Sequence, residues 1–286
     1  MDLAQYETLL KTEQAAKRYL LRFCWDRGRR KCLRCGNKKV YKLAQGRYRC
    51  PACGYTFHDF SRRFINNGNL SAREWLRCIK LFELEVPLQQ MAVQLGRTYN
   101  TVSKAVQSIR GAIMAHALDA NLIFESGLGS SLGTARGKRT KKGPGGGPQR
   151  ALVFGVIPHG RFLFVDILPD FTAESIIHLK SNFYLKTASL GSLIYTDRYK
   201  CYDALLCCAP SIQHLPHAPH TDTGLFIDGQ GGFWKFAKKR LRSSRRVSCR
   251  RFALYIKELE FRFNHRGEDI FSIIAAYLCA PVPRLK

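Results

Sequence analysis

Acidic side chains are scarce in this chain: 21 Asp and Glu stand against 47 Lys and Arg in 286 residues. The resulting formal charge of +26 and pI near 10.0 lie far outside the range usual for enzymes of small metabolites. Such an excess of cations builds a field that attracts polyanions, and counterion release supplies salt-sensitive affinity. Nucleic acid is the expected partner. Long apolar runs are also missing. No segment approaches the length of a membrane-spanning helix, so an anionic membrane surface is the only membrane partner left to compete. The N-terminal "MDLAQYETLLKTEQAAKRYLL" is mixed in charge and has no apolar signal core, so export is not expected. No internal repeat is found, and the length suffices for a sizeable core and more than one domain.

What is present divides into three parts. Residues 1–66 hold a helical start and a compact Cys-bearing module, and 67–117 show helical periodicity with breaks at Pro87 and at Gly96–Arg97. Residues 118–286 follow, opening on "GSSLGTARGKRTKKGPGGGPQR" at 129–150, a Gly-rich basic stretch without one acid that reads as a loop or linker. Beyond it, "ALVFGVI" and "RFLFVDILP" are β-type runs joined by "PHG", a predicted hairpin. A helix-like segment from Thr172 to Lys180 precedes an apolar strand, Leu193–Tyr195, that ends on Asp197. The last sixty or so residues return to helix in "FWKFAKKRL" and "RRFALYIKELEFRFNHR". Strands followed by helices in a mixed order indicate an α/β or α+β domain.

Eleven cysteines without an export signal suggest reduced thiols or metal ligands instead of a disulfide framework. Cys32, Cys35, Cys50 and Cys53 are spaced C-x2-C-x14-C-x2-C. Two such knuckles can close four thiolates around one tetrahedral Zn²⁺, leaving no open position, so this zinc is expected to be structural. Gly36 and Gly54 follow the second Cys of each knuckle, where a tight turn needs a permissive backbone. Lys38, Lys39, Lys42, Arg47 and Arg49 lie between the knuckles, placed either for phosphate contacts or as a solvated face. Cys78, Cys201, Cys207, Cys208 and Cys279 fall in apolar stretches and read as small core residues.

Residues 70–113 have the form of a helix-turn-helix. Ser71 with Glu74 makes a capping box, Pro87 opens a second helix that Gly96 ends, and "TYNTVSKAVQSIRGAI" is a third. In that motif the N-terminal side chains of the last helix meet base edges in the major groove. Here those are Thr98, Tyr99, Asn100, Thr101 and Lys104. The plainer reading is a helical hairpin with Val102, Val106 and Ile109 as its core stripe.

The ribbon, the "NTV…IR" helix, "VFGVI…GRF", "YTDRYKCYDALL", "GFWKFAKKRL" and "KELEFRFNHRGEDIF" occur in one order from about Phe23 to Phe271. Together they resemble bacterial insertion-sequence transposases of the zinc-ribbon, Merlin-related DDE group. The resemblance implies an α/β multi-domain chain: zinc ribbon, helix-turn-helix, then an RNase H-like mixed sheet with flanking helices. It implies binding to double-stranded DNA at element ends as a homo-oligomer, in the nucleoid of a bacterium or the nucleus of a eukaryote. It also implies DNA cutting and joining with two divalent cations, Mg²⁺ or Mn²⁺, held by three clustered carboxylates.

The carboxylates carry over unevenly. Asp197 matches the family's second aspartate in "YTD". The first is expected in "DES", where this chain reads "LIFES", placing Phe124 at the aspartate position and Glu125 beside it. The third is expected in "NGIEGFW", where "DGQGGFW" puts Gly231 at the glutamate position and Asp228 at the asparagine. Glu125 is one residue along a strand and should face away, whereas Asp228 lies about one helical turn before Gly231. Asp228 and Glu125 are thus the candidate substitutes beside Asp197. Asp166 and Asp203 read as strand-end or surface carboxylates. The tract from Lys235 to Arg251, with Lys238, Lys239, Arg240 and Arg242 at its centre, has no acid and suits phosphate contacts, the plainer reading being a solvated basic helix face. Phe233 and Trp234 either stack on a flipped base or pack a helix against the sheet, and packing is the expectation. His214, His217 and His220 lie in a Pro-rich loop and are weak as a metal set.

Overall fold

The computed structural model describes residues 2–117, 120, 152–159, 162–168, 192–198, 202–208, 233, 236, 237, 240 and 249–283. They fall into two compact units, Met1–His116 with Gly267–Lys286, and Ala117–Arg266. In chain order the elements are α1 (Leu3–Leu10), α2 (Glu13–Cys24), β1 (Tyr41–Lys42), β2 (Arg47–Arg49) and β3 (Thr56–His58). Then come α3 (Ala72–Glu83), α4 (Leu88–Leu95), α5 (Tyr99–Ala115) and β4 (Leu152–His159). The rest are β5 (Phe162–Leu168), β6 (Ser192–Arg198), β7 (Tyr202–Cys208), α6 (Cys249–Asn264) and α7 (Ile270–Cys279).

The first unit is helical around a small three-stranded sheet. Helix α2 begins where the Thr12 hydroxyl accepts the Ala15 N–H, and it buries Ala16, Tyr19, Leu20 and Cys24 at helical spacing. Helix α3 begins at the expected capping box: Ser71 Oγ accepts the Glu74 N–H while Glu74 accepts the Ser71 N–H. It turns Trp75, Leu76, Ile79 and Phe82 inward. Val102, Val106 and Ile109 of α5 are buried, as the core-stripe reading requires. The remaining wall is α7, whose Phe271, Ile274 and Leu278 are wholly excluded from solvent. Each such side chain contributes about 1.5–3 kcal/mol relative to exposure. Tyr6 meets the Phe271 ring edge-on at 5.8 Å, Tyr19 Oη lies 3.1 Å from Ser272 Oγ, and Tyr277 stacks on His116 at 4.0 Å.

The segment after Arg266 therefore packs with α2, α3 and α5. The physical reason is the near-continuous apolarity of "IFSIIAAYLC", which needs burial on most of its circumference and finds it among the N-terminal helices.

One side chain ties these pieces together. Arg63 is 3% exposed, and its guanidinium donates to the carbonyls of Asp59, Cys24 and Cys279. Cys24 and Cys279 are the last residues of α2 and α7, so a single cation caps two helix C-termini, where carbonyls are orphaned and the dipole is negative. The same guanidinium lies 4.7 Å over the Trp25 ring, whose Nε1–H donates to Asp59 (2.9 Å). Asp59 in turn takes a bidentate contact from Arg30, at 2.7 and 3.3 Å.

In the second unit the strands form a four-stranded sheet ordered β5-β4-β7-β6. β4 and β5 make the predicted hairpin, paired from Val153–Leu168 to His159–Phe162. β4 runs parallel to β7, and β6 antiparallel to β7, so the sheet is mixed. Strand β7 was not anticipated. Helix α6 packs against β4 and β5 and carries its charges inward as pairs: Lys257 with Glu260 (2.7 Å) and Arg262 with Glu258 (2.9 Å). Glu260 also accepts the Val165 N–H at 2.8 Å, so a carboxylate of the helix satisfies a donor of strand β5. The segment Thr172–Lys180 lies outside the described residues.

Replacing Arg63 with Met keeps bulk but strands three buried carbonyls. We expect the unfolding free energy from urea titration to fall by about 3 kcal/mol or more, with Lys, which cannot fork to separate carbonyls, restoring little of it.

Candidate metal centre and nucleic-acid interface

Each cysteine knuckle is built by the same local geometry. In the first, the Gly36 N–H returns to the Cys32 carbonyl (2.9 Å) and the Cys32 N–H reaches Asn37 O (2.8 Å). In the second, the Gly54 N–H returns to Cys50 O (3.0 Å) and the Cys50 N–H reaches Tyr55 O (3.0 Å). Gly36 and Gly54 sit at φ 75° and 68°, a left-handed backbone that a side chain would strain. Strands β1 and β2 then fold the second knuckle onto the first, with Tyr41 opposite Arg49 and Lys42 opposite Tyr48.

The four Sγ atoms lie within 4.8 Å of one another, with Cys32 to Cys53 and Cys35 to Cys50 both at 3.6 Å. A tetrahedron of 2.3 Å Zn–S bonds has edges of about 3.8 Å, close to the two shortest pairs, so the set suits one zinc. Burial works against a thiolate at Cys32, yet the N–H groups of Cys35 and Arg34 and the neighbouring thiols bring it down to about 7. At Cys35 the Asn37 N–H favours the thiolate, but the crowded Cys53, Cys50 and Cys32 sulfurs together with burial push it up to about 12. Four sulfurs this close resist sharing negative charge, and a divalent cation among them removes that conflict. Among the described residues this is the one group of three or more His, Cys, Asp or Glu able to hold a metal.

The helix-turn-helix candidate side chains converge on the first turns of α5. Thr98 is its cap: the hydroxyl accepts the Thr101 N–H at 3.4 Å and lies 3.0 Å from the Thr101 hydroxyl. Those two are engaged in holding the helix end. Tyr99, Asn100 and Lys104 are exposed on it. The turn before α5 is fixed by Arg97, whose Nε donates to Glu74 Oε1 at 2.7 Å. Arg97 beside Glu74 holds that carboxyl below the usual carboxylate range, with the Ser71 contacts adding to the effect.

Of the catalytic candidates only Asp197 falls among the described residues. Asp197 is the penultimate residue of β6, paired with Ala204, and the register shifts between Tyr195 and Asp197. Glu125, Asp228, Phe124 and Gly231 lie outside the described residues, as do Lys238, Lys239 and Arg242. Arg240 is described: its guanidinium sits 3.7 Å over the Phe236 ring, and its carbonyl accepts from Tyr255 Oη at 3.3 Å. Phe233 is wholly buried and packs edge-on against Phe263 at 5.1 Å, as packing rather than base stacking requires. Sequence reading passed over Arg63, whose flanks "SRRFINN" give no hint of a buried cation.

A four-thiolate ribbon followed by a three-helix, helix-turn-helix-like array places the chain among zinc-ribbon proteins. Residues 11–56 match the transposase zinc-ribbon domain model, and residues 125–264 match the ISXO2-like transposase domain model. The chain is a transposase-family protein carrying these two domains. It is 36% identical over 75 residues to an uncharacterized transposase-like protein of Haemophilus influenzae, a stretch covering 26% of this chain. The chain spans 61% of that relative's length. No solved structure matches the chain. Among the described residues no helix is long and apolar enough to cross a membrane.

Two outcomes follow from this geometry. Metal analysis of the purified chain should find one tightly held zinc, and Cys50→Ser should lose it together with the ordered ribbon, read by amide-exchange protection. Because the Glu74 carboxyl is depressed in the folded state, its contribution is present above its unfolded pKa and is lost as pH falls through the folded value. Acid unfolding of Glu74→Gln should therefore lack part of the wild-type pH dependence below about pH 4.5.

Proposed function

We propose that this chain binds double-stranded DNA at element ends through its first unit, as a homo-oligomer, and that its strand-transfer chemistry is impaired. The carrying observation is α5, capped by Thr98 and pinned by Arg97–Glu74, which presents Tyr99, Asn100 and Lys104 at an exposed N-terminal turn. That is the placement from which a recognition helix reads a major groove. The formal charge of +26 supplies the accompanying sequence-independent affinity. A mixed sheet with α6 laid on β4 and β5 supports an RNase H-like reading of the following domain.

Impairment rests on chemistry. Paired Mg²⁺ or Mn²⁺ ions supply charge neutralisation at a scissile phosphate, and they need clustered oxygen ligands. Of the three positions where the family resemblance expects carboxylates, this chain keeps only Asp197, with Phe124 and Gly231 at the others. A lone carboxylate does not fit that demand, and no catalytic step is assigned through it. The chain is then a catalytically silent occupant of element ends, working where its DNA lies: nucleoid in a bacterium, nucleus in a eukaryote. One observation favours a second reading, an active enzyme with Asp228 or Glu125 as substitute ligand. The register shift just before Asp197 is the kind of bulge that re-aims a side chain beside an active site.

Binding to duplex DNA should weaken steeply with salt and survive chelation of Mg²⁺. Lys104→Ala should lower the slope of log affinity against log salt by about one, whereas Asn100→Ala should cost about 1–3 kcal/mol on preferred sequences and flatten preference. Failure to retain duplex at low ionic strength would remove the reading. Strand transfer on element ends with Mg²⁺ or Mn²⁺ decides between silent and active forms. Activity abolished by Asp197→Ala would establish a rebuilt site, and its absence the silent one.

A further inference from the structure

The three-stranded sheet of the ribbon has two unlike faces. On the inner one Tyr48 and Phe57 are buried, 5.8 Å apart by ring centres, with Trp25 behind them. On the outer one the register places Tyr41, Arg49 and Thr56 in one row. Arg47 and His58 are opposite each other in the next row. Leu43, extended and donating its N–H to Arg47 O at 2.8 Å, completes that second row. Residues directly opposite, or two apart along a strand, share a face, so these six side chains form one surface. All six are exposed, and none is acidic.

Two of the six are large and apolar: Tyr41 is 64% exposed and Leu43 37%. Their neighbours on the central strand are the two arginines, about 7 Å apart along it. His58 Nδ1 accepts the Phe60 N–H (3.2 Å), which leaves the proton on Nε2 and makes that atom a donor. Phosphates alone would use the arginines and the histidine but gain nothing from an exposed phenol ring and a leucine. Unpaired bases would use both, because every base has a π-face that stacks on an aromatic ring while cations track the backbone.

We propose that this outer face holds an unpaired DNA strand, with Arg47, Arg49 and His58 on its phosphates and Tyr41 stacked on a base. The inference rests on the DNA-binding reading and adds to it a second contact surface of different specificity from α5. Strands about 4.8 Å apart make the face roughly 10 Å wide, enough for a single backbone with its bases laid across the rows.

The test uses the full zinc-loaded chain, fluorescence anisotropy, a labelled oligodeoxythymidine and a labelled hairpin duplex. Tyr41→Ala should weaken single-strand binding between about fivefold and a hundredfold, the range of one lost stacking contact, and leave duplex affinity within about twofold. Tyr41→Phe should bind as wild type, since the ring and not the hydroxyl carries the contact. Zinc content of each variant, unchanged, shows that the ribbon is intact. Single-strand affinity unaltered by Tyr41→Ala, or duplex affinity reduced equally, would overturn the proposal. A wild-type chain that binds duplex but not the single strand would overturn it while sparing the duplex reading, and one that binds neither would overturn both.

Discussion

The first unit depends on where one buried positive charge can be put. Among the described residues Arg63 is held not by a carboxylate but by three carbonyls and a tryptophan face. Burying a cation on such terms works only where carbonyl dipoles converge, and two helix C-termini aimed at one point provide that convergence. The arrangement is mutual. Without the cation, the ends of α2 and α7 would face each other with orphaned carbonyls and like partial charges. The ribbon's Asp59 closes the set by fixing Trp25 and Arg30. Helix, ribbon and C-terminal segment thus meet at a polar hub inside an otherwise apolar core.

Much of this unit was legible in the sequence because its signals are local. Two CxxC pairs, each followed by glycine, encode knuckle geometry within six residues, and the sulfurs do converge. Ser71 and Glu74, Pro87 and Gly96 are caps and breakers whose effect is felt within one turn, and α3, α4 and α5 begin and end beside them. The β4–β5 hairpin follows from two β-type apolar runs about a short turn, a further short-range code.

What escaped reading depends on contacts distant in sequence. That α7 joins the N-terminal helices is decided by Phe271 meeting Tyr6 and Tyr277 meeting His116, and no local pattern announces such partners. Within α5 the residue types marked a DNA-contacting turn, but not that Thr98 and Thr101 would spend their hydroxyls on each other. Strand β7, "YDALLCC", has no turn signal of its own beyond the short step from β6, and its place is set by pairing with β4 and β6 on its two sides. For catalytic chemistry the sequence remains the fuller witness: it shows Phe124 and Gly231 where the family resemblance expects acids.

The route of the chain through α7 has a consequence for how the protein comes into being. Residues 1–116 leave the ribosome first, yet one wall of their core is supplied by 267–286, which follow the whole second unit in the sequence. Until that helix emerges, Tyr6 and His116 lack the rings of Phe271 and Tyr277, Tyr19 keeps only its contact with Phe23, and Arg63 lacks one of its carbonyls. Vectorial synthesis thus orders maturation: the unit carrying the ribbon and α5 closes only after the segment bearing Asp197 has been made. A nascent or prematurely terminated chain would carry the cations that attract DNA without the settled core that aims them.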